Sequence, residues 1–206
     1  MQLTREDFQK FLYTYNEDEL FYRTLYFEKK EHPETFHKFC LNLDCDLISR
    51  RQLYVPELQK EGWHFYFEEK AMFCDTADNI MLYKHYRYTP EFIHEHEFFE
   101  ILCIYDGQAH TSIQGIEHTL HKGDVCIIPP HTKHSIGIFD DSIAFNILIR
   151  GSTFQSTFFQ SLTEDSALAH FFAHVLYRKT EGNYLIFHTA NDPQIREMLE
   201  NLYIEY

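Results

Sequence analysis

A chain of 206 residues with 44% apolar and 17% aromatic content can build a sizeable core, and its net charge of -14, from 18 Lys and Arg against 32 Asp and Glu, disfavours a direct grip on phosphate backbones. No apolar run reaches the roughly 18 residues that a membrane-spanning helix needs, and the start MQLTREDFQKF lacks the basic and apolar parts of a secretion leader, so a cytoplasmic location is expected. Five scattered cysteines without a CxxC pair argue against a disulfide framework or a thiolate zinc site.

Residues 1–76 are predicted to be largely helical. Thr4 can cap a first helix, with Asp7 three positions on and Phe8, Phe11, Leu12 and Tyr15 at helical spacing. HPETFHKFCLNL offers a second start, with Pro33 near the first turn and Phe36, Phe39, Cys40 and Leu43 on one face. Between Asp44 and Asp75 only WHFYF, alternating like a strand, gives a readable signal.

Residues 77–150 change character. Short apolar and β-branched runs (NIMLYKHYRY, FFEILCIY, AHTSI, IEHTL, DVCIIP, SIAFNILI) alternate with the turn signals Asp106-Gly107, Gln114-Gly115 and Lys122-Gly123-Asp124. The pattern predicts an antiparallel meander that closes into a small β-barrel or jelly roll, since closure protects strand edges.

Residues 151–206 are predicted to return to helix, as one segment carrying Phe154, Phe158, Phe159 and Leu162 and a second carrying Leu168, Phe171, Phe172, Val175 and Leu176. In the last segment Asn191 or Asp192 is the cap, Pro193 lies in the first turn, and Ile195, Met198, Leu199, Leu202 and Tyr206 form a stripe. The region carries three basic residues against seven acidic ones, so no basic recognition helix is present in it.

The residues that carry chemistry are His94, His96 and Glu100, with His134 following Pro129-Pro130. On an unbroken strand positions 94, 96 and 100 share a face. Two imidazoles and a carboxylate, joined by a third imidazole, can hold zinc, nickel, iron or manganese. The same residues can instead line a pocket for a sugar-like molecule, or hydrogen-bond one another as a polar core. His131 is expected in an exposed turn, with a supporting contact to the ligand residues as the alternative, and His110, His118 and His121 at half-exposed strand positions. His85 is a candidate to line the barrel mouth, its facing left open by a strand with polar residues on both sides. No catalytic signature is present: GxSxG, Walker and dinucleotide patterns are absent, and no cysteine sits in a recognisable Cys-His arrangement.

HEHEFFEILCIYDG at 94–107 and GDVCIIPPHTKHSI at 123–136 resemble the two signature segments of the cupin superfamily, and more closely the N-terminal cupin sensor domain of AraC-type bacterial transcription regulators. The resemblance rests on His94, His96, Glu100, Gly107, Gly123, Asp124, Pro129, Pro130 and His134, and it covers 77–206 better than 1–76. It implies a mainly β fold with flanking α, a cupin-type antiparallel β-barrel between N-terminal and C-terminal helices. It also implies a homodimeric sensor whose small-molecule effector contacts His94, His96, Phe98, Glu100 and His134. Its helix-turn-helix DNA-binding region would lie beyond Tyr206, absent from this sequence. Tyr88, His131 and Ile138 stand where metal-dependent cupin enzymes usually have Gly, Gly and Asn. These departures weigh against the alternative, a metal-dependent cupin dioxygenase or sugar isomerase; a freestanding binding protein is a third reading.

Overall fold

The computed structural model describes residues 4–59, 65–74, 78–158, 171–172 and 184–205. Its first helix begins as expected: the Thr4 hydroxyl accepts from the Asp7 N–H at 3.1 Å and the Asp7 carboxylate takes the Thr4 N–H, so α1 (Arg5–Tyr13) starts with a closed capping box. Asn16 and Glu19 repeat the device for α2 (Glu17–Glu31). Phe36 and Cys40 bury one face of the short α3 (Phe36–Leu41), and α4 (Cys45–Arg51) ends at Gln52 in left-handed conformation, φ 54.

Ten strands follow. β1 (Phe65–Phe67) confirms the alternation of WHFYF, and α5 (Glu69–Met72) leads to β2 (Ile80–Lys84), β3 (His94–His96) and β4 (Phe99–Asp106). Next come β5 (Gln108–Ile113), β6 (Ile116–His121), β7 (Val125–Ile128), β8 (His134–Gly137) and β9 (Ile143–Ile149). After β9 the chain makes a helical turn, α6 (Gly151–Thr153), that widens into a π-helical turn at Phe154–Phe158. β10 (Leu185–Phe187) and α7 (Pro193–Glu205) complete the described chain.

The strands form two five-stranded sheets, β1-β3-β8-β5-β6 and β10-β7-β4-β9-β2. Every pairing is antiparallel apart from β1, which runs parallel to β3. This is the jelly-roll arrangement expected of the sequence. One correction concerns 151–206, expected as helix throughout: LIF at 185–187 is too short for a helix and pairs with β7 along a free sheet edge. The expected helix over Leu162 and Leu168–Leu176 falls outside the described residues except at Phe171 and Phe172, which are helical.

Both faces of the second sheet are buried, which is why FEILCIYD and IAFNILI read as unbroken apolar runs instead of alternating ones. Leu102, Ile104, Cys126, Ile128 and Ala144 meet Ala109, Ile113, Leu120 and Ile136 of the first sheet inside the sandwich. The outer face is covered by α1 and α7, with the Phe8 ring 5.2–6.3 Å from Tyr203, Tyr105 and Phe145. Full burial of Phe8 and Leu12 contributes roughly 1.5–3 kcal/mol each. A bulge at Tyr105 breaks the β4–β9 register, and its hydroxyl joins Gln9, Arg196 and Glu200 at 2.7–2.8 Å.

A buried ion cluster ties the helices to the sheet. Glu19 accepts from Lys84 Nζ and Arg87 Nε at 2.9 Å, all three side chains being at most 3% exposed, and the Arg87 guanidinium lies 3.7 Å above the Tyr15 ring. Composition hid this pairing, because its partners stand 65 and 68 residues from Glu19.

On α7 the predicted stripe divides. Ile195, Leu199 and Tyr203, at i, i+4 and i+8, pack on the sheet and α1, whereas Met198 (69% exposed) and Leu202 (41% exposed) stand one column round the helix. Asp192 is the cap that the structure selects, accepting from the Gln194 N–H at 2.8 Å. All five cysteines are free, with Cys40, Cys103 and Cys126 buried and Cys45 and Cys74 exposed. Burial pushes the Cys103 and Cys126 thiols up to about 12.

Of the predicted turns, Gln114-Gly115 closes a hairpin, whereas Asp106-Gly107 and Lys122-Gly123 carry the chain from one sheet to the other, so the expected meander is replaced by jelly-roll crossings. Gln114 and Gly115 adopt φ 54 and 78, as a two-residue hairpin of the primed type requires. A Cβ at Gly115 would meet nothing within 4 Å. Gly115→Ala therefore isolates the left-handed backbone penalty, and a loss of about 1 kcal/mol in urea unfolding is expected; no loss would show that the turn is not held in this form.

Candidate functional site

The sheet-to-sheet crossing at Glu97–Phe98 builds the site. β3 belongs to the first sheet and β4 to the second, yet His94, His96, Phe98 and Glu100 all line one interior cavity. Even-numbered side chains thus keep one facing although the strand itself is broken, contrary to the simplest expectation of one continuous strand. The bend is held from outside: Tyr66 Oη and the Glu69 N–H donate to the Glu97 carboxylate at 2.9 and 3.0 Å.

β3 pairs with β8 so that His94 lies directly opposite His134, bringing their ring centroids to 4.1 Å. His134 does not line the cavity but stands behind it. Its Nδ1–H donates to Thr132 O at 2.9 Å, and that of His94 to Phe92 O at 3.2 Å, in each case a carbonyl two residues upstream. Both rings thereby leave Nε2 pointing inward. His134 Nε2 is 3.3 Å from Glu100 Oε2, and His96 Nε2–H donates to the same oxygen at 3.1 Å.

One atom each of His94, Glu100 and His134 lie mutually within 4.8 Å. Two imidazole nitrogens with their other N–H fixed, plus a carboxylate, make a donor set that can hold a divalent cation of the zinc, nickel, iron or manganese group. His96, expected as a fourth ligand, falls outside that trio and serves as a donor to Glu100. Its ring stacks on Phe98 at 4.4 Å and 11°.

The electrostatics keep the imidazoles at the cavity neutral. Burial, reinforced by His134, pulls His94 down to about 3, and burial also lowers His96 against the opposing pull of Glu100. Burial pushes the Glu100 carboxyl up, but the close approach of His134 and His96 outweighs it and holds the group well below the usual carboxylate range.

The cavity is about 540 Å³, in the range of small-molecule sites. Phe67, Met72, Phe92, Phe98 and Leu148 supply apolar wall, and Tyr83, His85 and Asn146 add polar groups, of which sequence reasoning missed Tyr83 and Asn146 and named His85 as a candidate whose facing it left open. Asn146 had a signal: it is the single amide inside the apolar run SIAFNILI. His85 had one too, since it continues the alternation of Met81 and Tyr83. Burial draws His85 down to about 4. Four buried polar atoms on the cavity wall have no partner among the described residues: His85 Nε2, His96 Nδ1, Glu100 Oε1 and Asn146 Oδ1.

The remaining histidines fall where expected. His131 is exposed in its turn, and His110, His118 and His121 are half-buried or exposed, His118 bonding Tyr184 Oη at 2.7 Å. Tyr88 and His131, two of the positions where the sequence departs from the glycines of the motif it resembles, both adopt the left-handed backbone, φ 63 and 60.

A family model described as the AraC-like ligand binding domain matches residues 81–205. The chain belongs to that family. Among curated proteins, this AraC-like domain is 33% identical over 57 residues to the HTH-type transcriptional activator RhaS of Yersinia pestis (strain Pestoides F) and, equally, to that of Yersinia pseudotuberculosis serotype O:1b (strain IP 31758). The alignment spans 28% of this chain and 21% of either relative. Similar solved structures include KdgF from Halomonas sp., at 21% identity and TM-score 0.32 over 35% of this chain and 70% of that one. A Bacteroides fragilis cupin protein aligns at 21% identity and TM-score 0.32 over 40% and 75%. Among the described residues no helix is long and apolar enough to cross a membrane.

Proposed function

We propose that this AraC-like domain is the effector-sensing and dimerisation part of a cytoplasmic transcription regulator and is not itself an enzyme. A small molecule binds in the 540 Å³ cavity against His94, His96, Phe98 and Glu100, with Tyr83, His85 and Asn146 completing the contact surface and His134 supporting it from behind. The observation that carries the reading is the set of four unpartnered buried polar atoms on one wall, because an orphan polar group is costly unless a ligand or water meets it. The family match and the relatives' helix-turn-helix description support the regulatory context. Occupancy favours one arrangement of the barrel, and α7, joined to β4 through Tyr105, Arg196 and Glu200, passes it to a DNA-binding region.

A second reading, supported by the fixed tautomers of His94 and His134, places a divalent metal on His94, Glu100 and His134. When bound it would supply a Lewis-acidic centre to which an effector oxygen could attach.

Calorimetric titration of the purified chain with a panel of sugars, amines and carboxylates tests the sensor reading. At least one class should bind, and Asn146→Leu should weaken it about tenfold or more, the cost of about 1.4 kcal/mol from one lost polar contact. Binding unchanged in both Asn146→Leu and His85→Leu would remove the cavity from the account. Metal analysis of the chain, with His134→Ala as comparison, tests the second reading.

A further inference from the structure

Resting on the effector-site reading above, we infer that the cavity takes a molecule bearing a protonated primary amine, because three of the four unpartnered buried polar atoms on its lining residues are acceptors. His94 and His134 spend their Nδ1–H on backbone carbonyls, His96 spends its Nε2–H on Glu100, and Asn146 Nδ2 donates to Tyr83 Oη at 3.2 Å. The unpartnered atoms on the cavity's lining residues include Glu100 Oε1, Asn146 Oδ1 and His96 Nδ1, all on side chains at most 3% exposed. No cation among the described residues answers them. Lys84 borders the cavity, but its ammonium is bound to Glu19 and Leu12 O on the outer side of the sheet.

An ammonium and a polyol make different demands on such a wall. Each hydroxyl that donates also brings lone pairs that need donors, and among the unpartnered buried atoms of the lining residues His85 Nε2 alone could serve them. An ammonium brings three N–H donors and no acceptor, so it meets Glu100 and Asn146 without leaving an orphan of its own. The aromatic wall of Phe67, Phe92 and Phe98 suits the remainder of such a molecule and can face its charge. A metal ion on His94, Glu100 and His134 would leave Asn146 Oδ1 and His96 Nδ1 unmet.

Matched probes decide the matter: glucosamine against glucose, and benzylamine against benzyl alcohol, titrated calorimetrically into the chelator-treated 206-residue chain. The amine of at least one pair should bind tenfold or more tighter than its neutral partner. Glu100→Gln should abolish that preference while circular dichroism stays native; if this variant does not fold, Asn146→Leu should reduce the preference. A neutral partner that binds as well as its amine overturns the inference and leaves the sensor reading standing. No binding by any sugar, amine or carboxylate overturns both, and tight zinc or nickel binding with no preference for amines overturns the inference in favour of the metal.

Discussion

Glu19→Gln should lower the unfolding free energy by about 3–5 kcal/mol, the loss expected when one partner of a buried ion pair is removed and the other charges stay in place. Against a typical domain stability of about 5–15 kcal/mol that is a large fraction. Glutamine is the informative replacement because it keeps the side chain's shape and its capping capacity toward the Asn16 N–H. Only the charge is lost, leaving Lys84 and Arg87 as two buried cations whose remaining carboxylate neighbour, Asp141, is 81% exposed and 3.9 Å from Arg87. Urea unfolding checks the value. If the midpoint moves by less than about 1 kcal/mol equivalent, water reaches the cluster and the pairing is not what holds α2 against β2.

The same cluster sets part of the response to acid. Burial pushes the Glu19 carboxyl up, but hydrogen bonds from Arg87 and Lys84 outweigh it and leave the group below its ordinary value. A carboxyl lowered on folding stabilises fully above its unfolded value of about 4.3, and that contribution drains away as pH falls through the lower folded value. Wild-type stability should therefore decline in acid more steeply than that of Glu19→Gln, whose amide does not titrate.

How much could be read beforehand follows from the range of each interaction. Capping boxes, hairpin turns and strand periodicity are local, so Thr4-Asp7, Gln114-Gly115 and the strands between 77 and 150 were visible in the sequence, whereas their pairing was not, since among the consecutive strands β2 to β9 just β5 and β6 pair and no meander forms. The inward parity of His94, His96, Phe98 and Glu100 was visible for the same reason, although the sheet change at Glu97 was not. Its anchors are Tyr66 and the Glu69 N–H, about 30 residues away. The Glu19 cluster and the edge strand β10 were hidden likewise, since three residues of LIF gain strand character only from β7 beside them. Asn146 was missed, and the facing of His85 was left open, because a polar residue in a buried strand is recognisable only once its neighbours on both faces are known.

Phe98→Ala should cost about 3 kcal/mol, at the lower end of the range for truncating a buried aromatic ring. Phe98 is 1% exposed and lies edge-on to Phe73 at 5.8 Å, in the cluster that includes Leu148. The neighbouring cavity lets part of the vacated space hydrate, which keeps the cost below the upper limit of about 5 kcal/mol. Phe98→Leu, which keeps most of the volume, should cost about 1–1.5 kcal/mol. The two variants separate packing from positioning: both keep a cavity-facing apolar group or gap, but neither offers His96 a flat ring to stack on. If the ring's service to the site is to hold His96 against Glu100, both variants should weaken effector binding by similar factors while differing about twofold in stability loss. Should Phe98→Leu bind as well as the wild type, the hydrogen bond between His96 and Glu100 is sufficient to orient the imidazole, and Phe98 matters only as filling at the point where the chain passes between sheets.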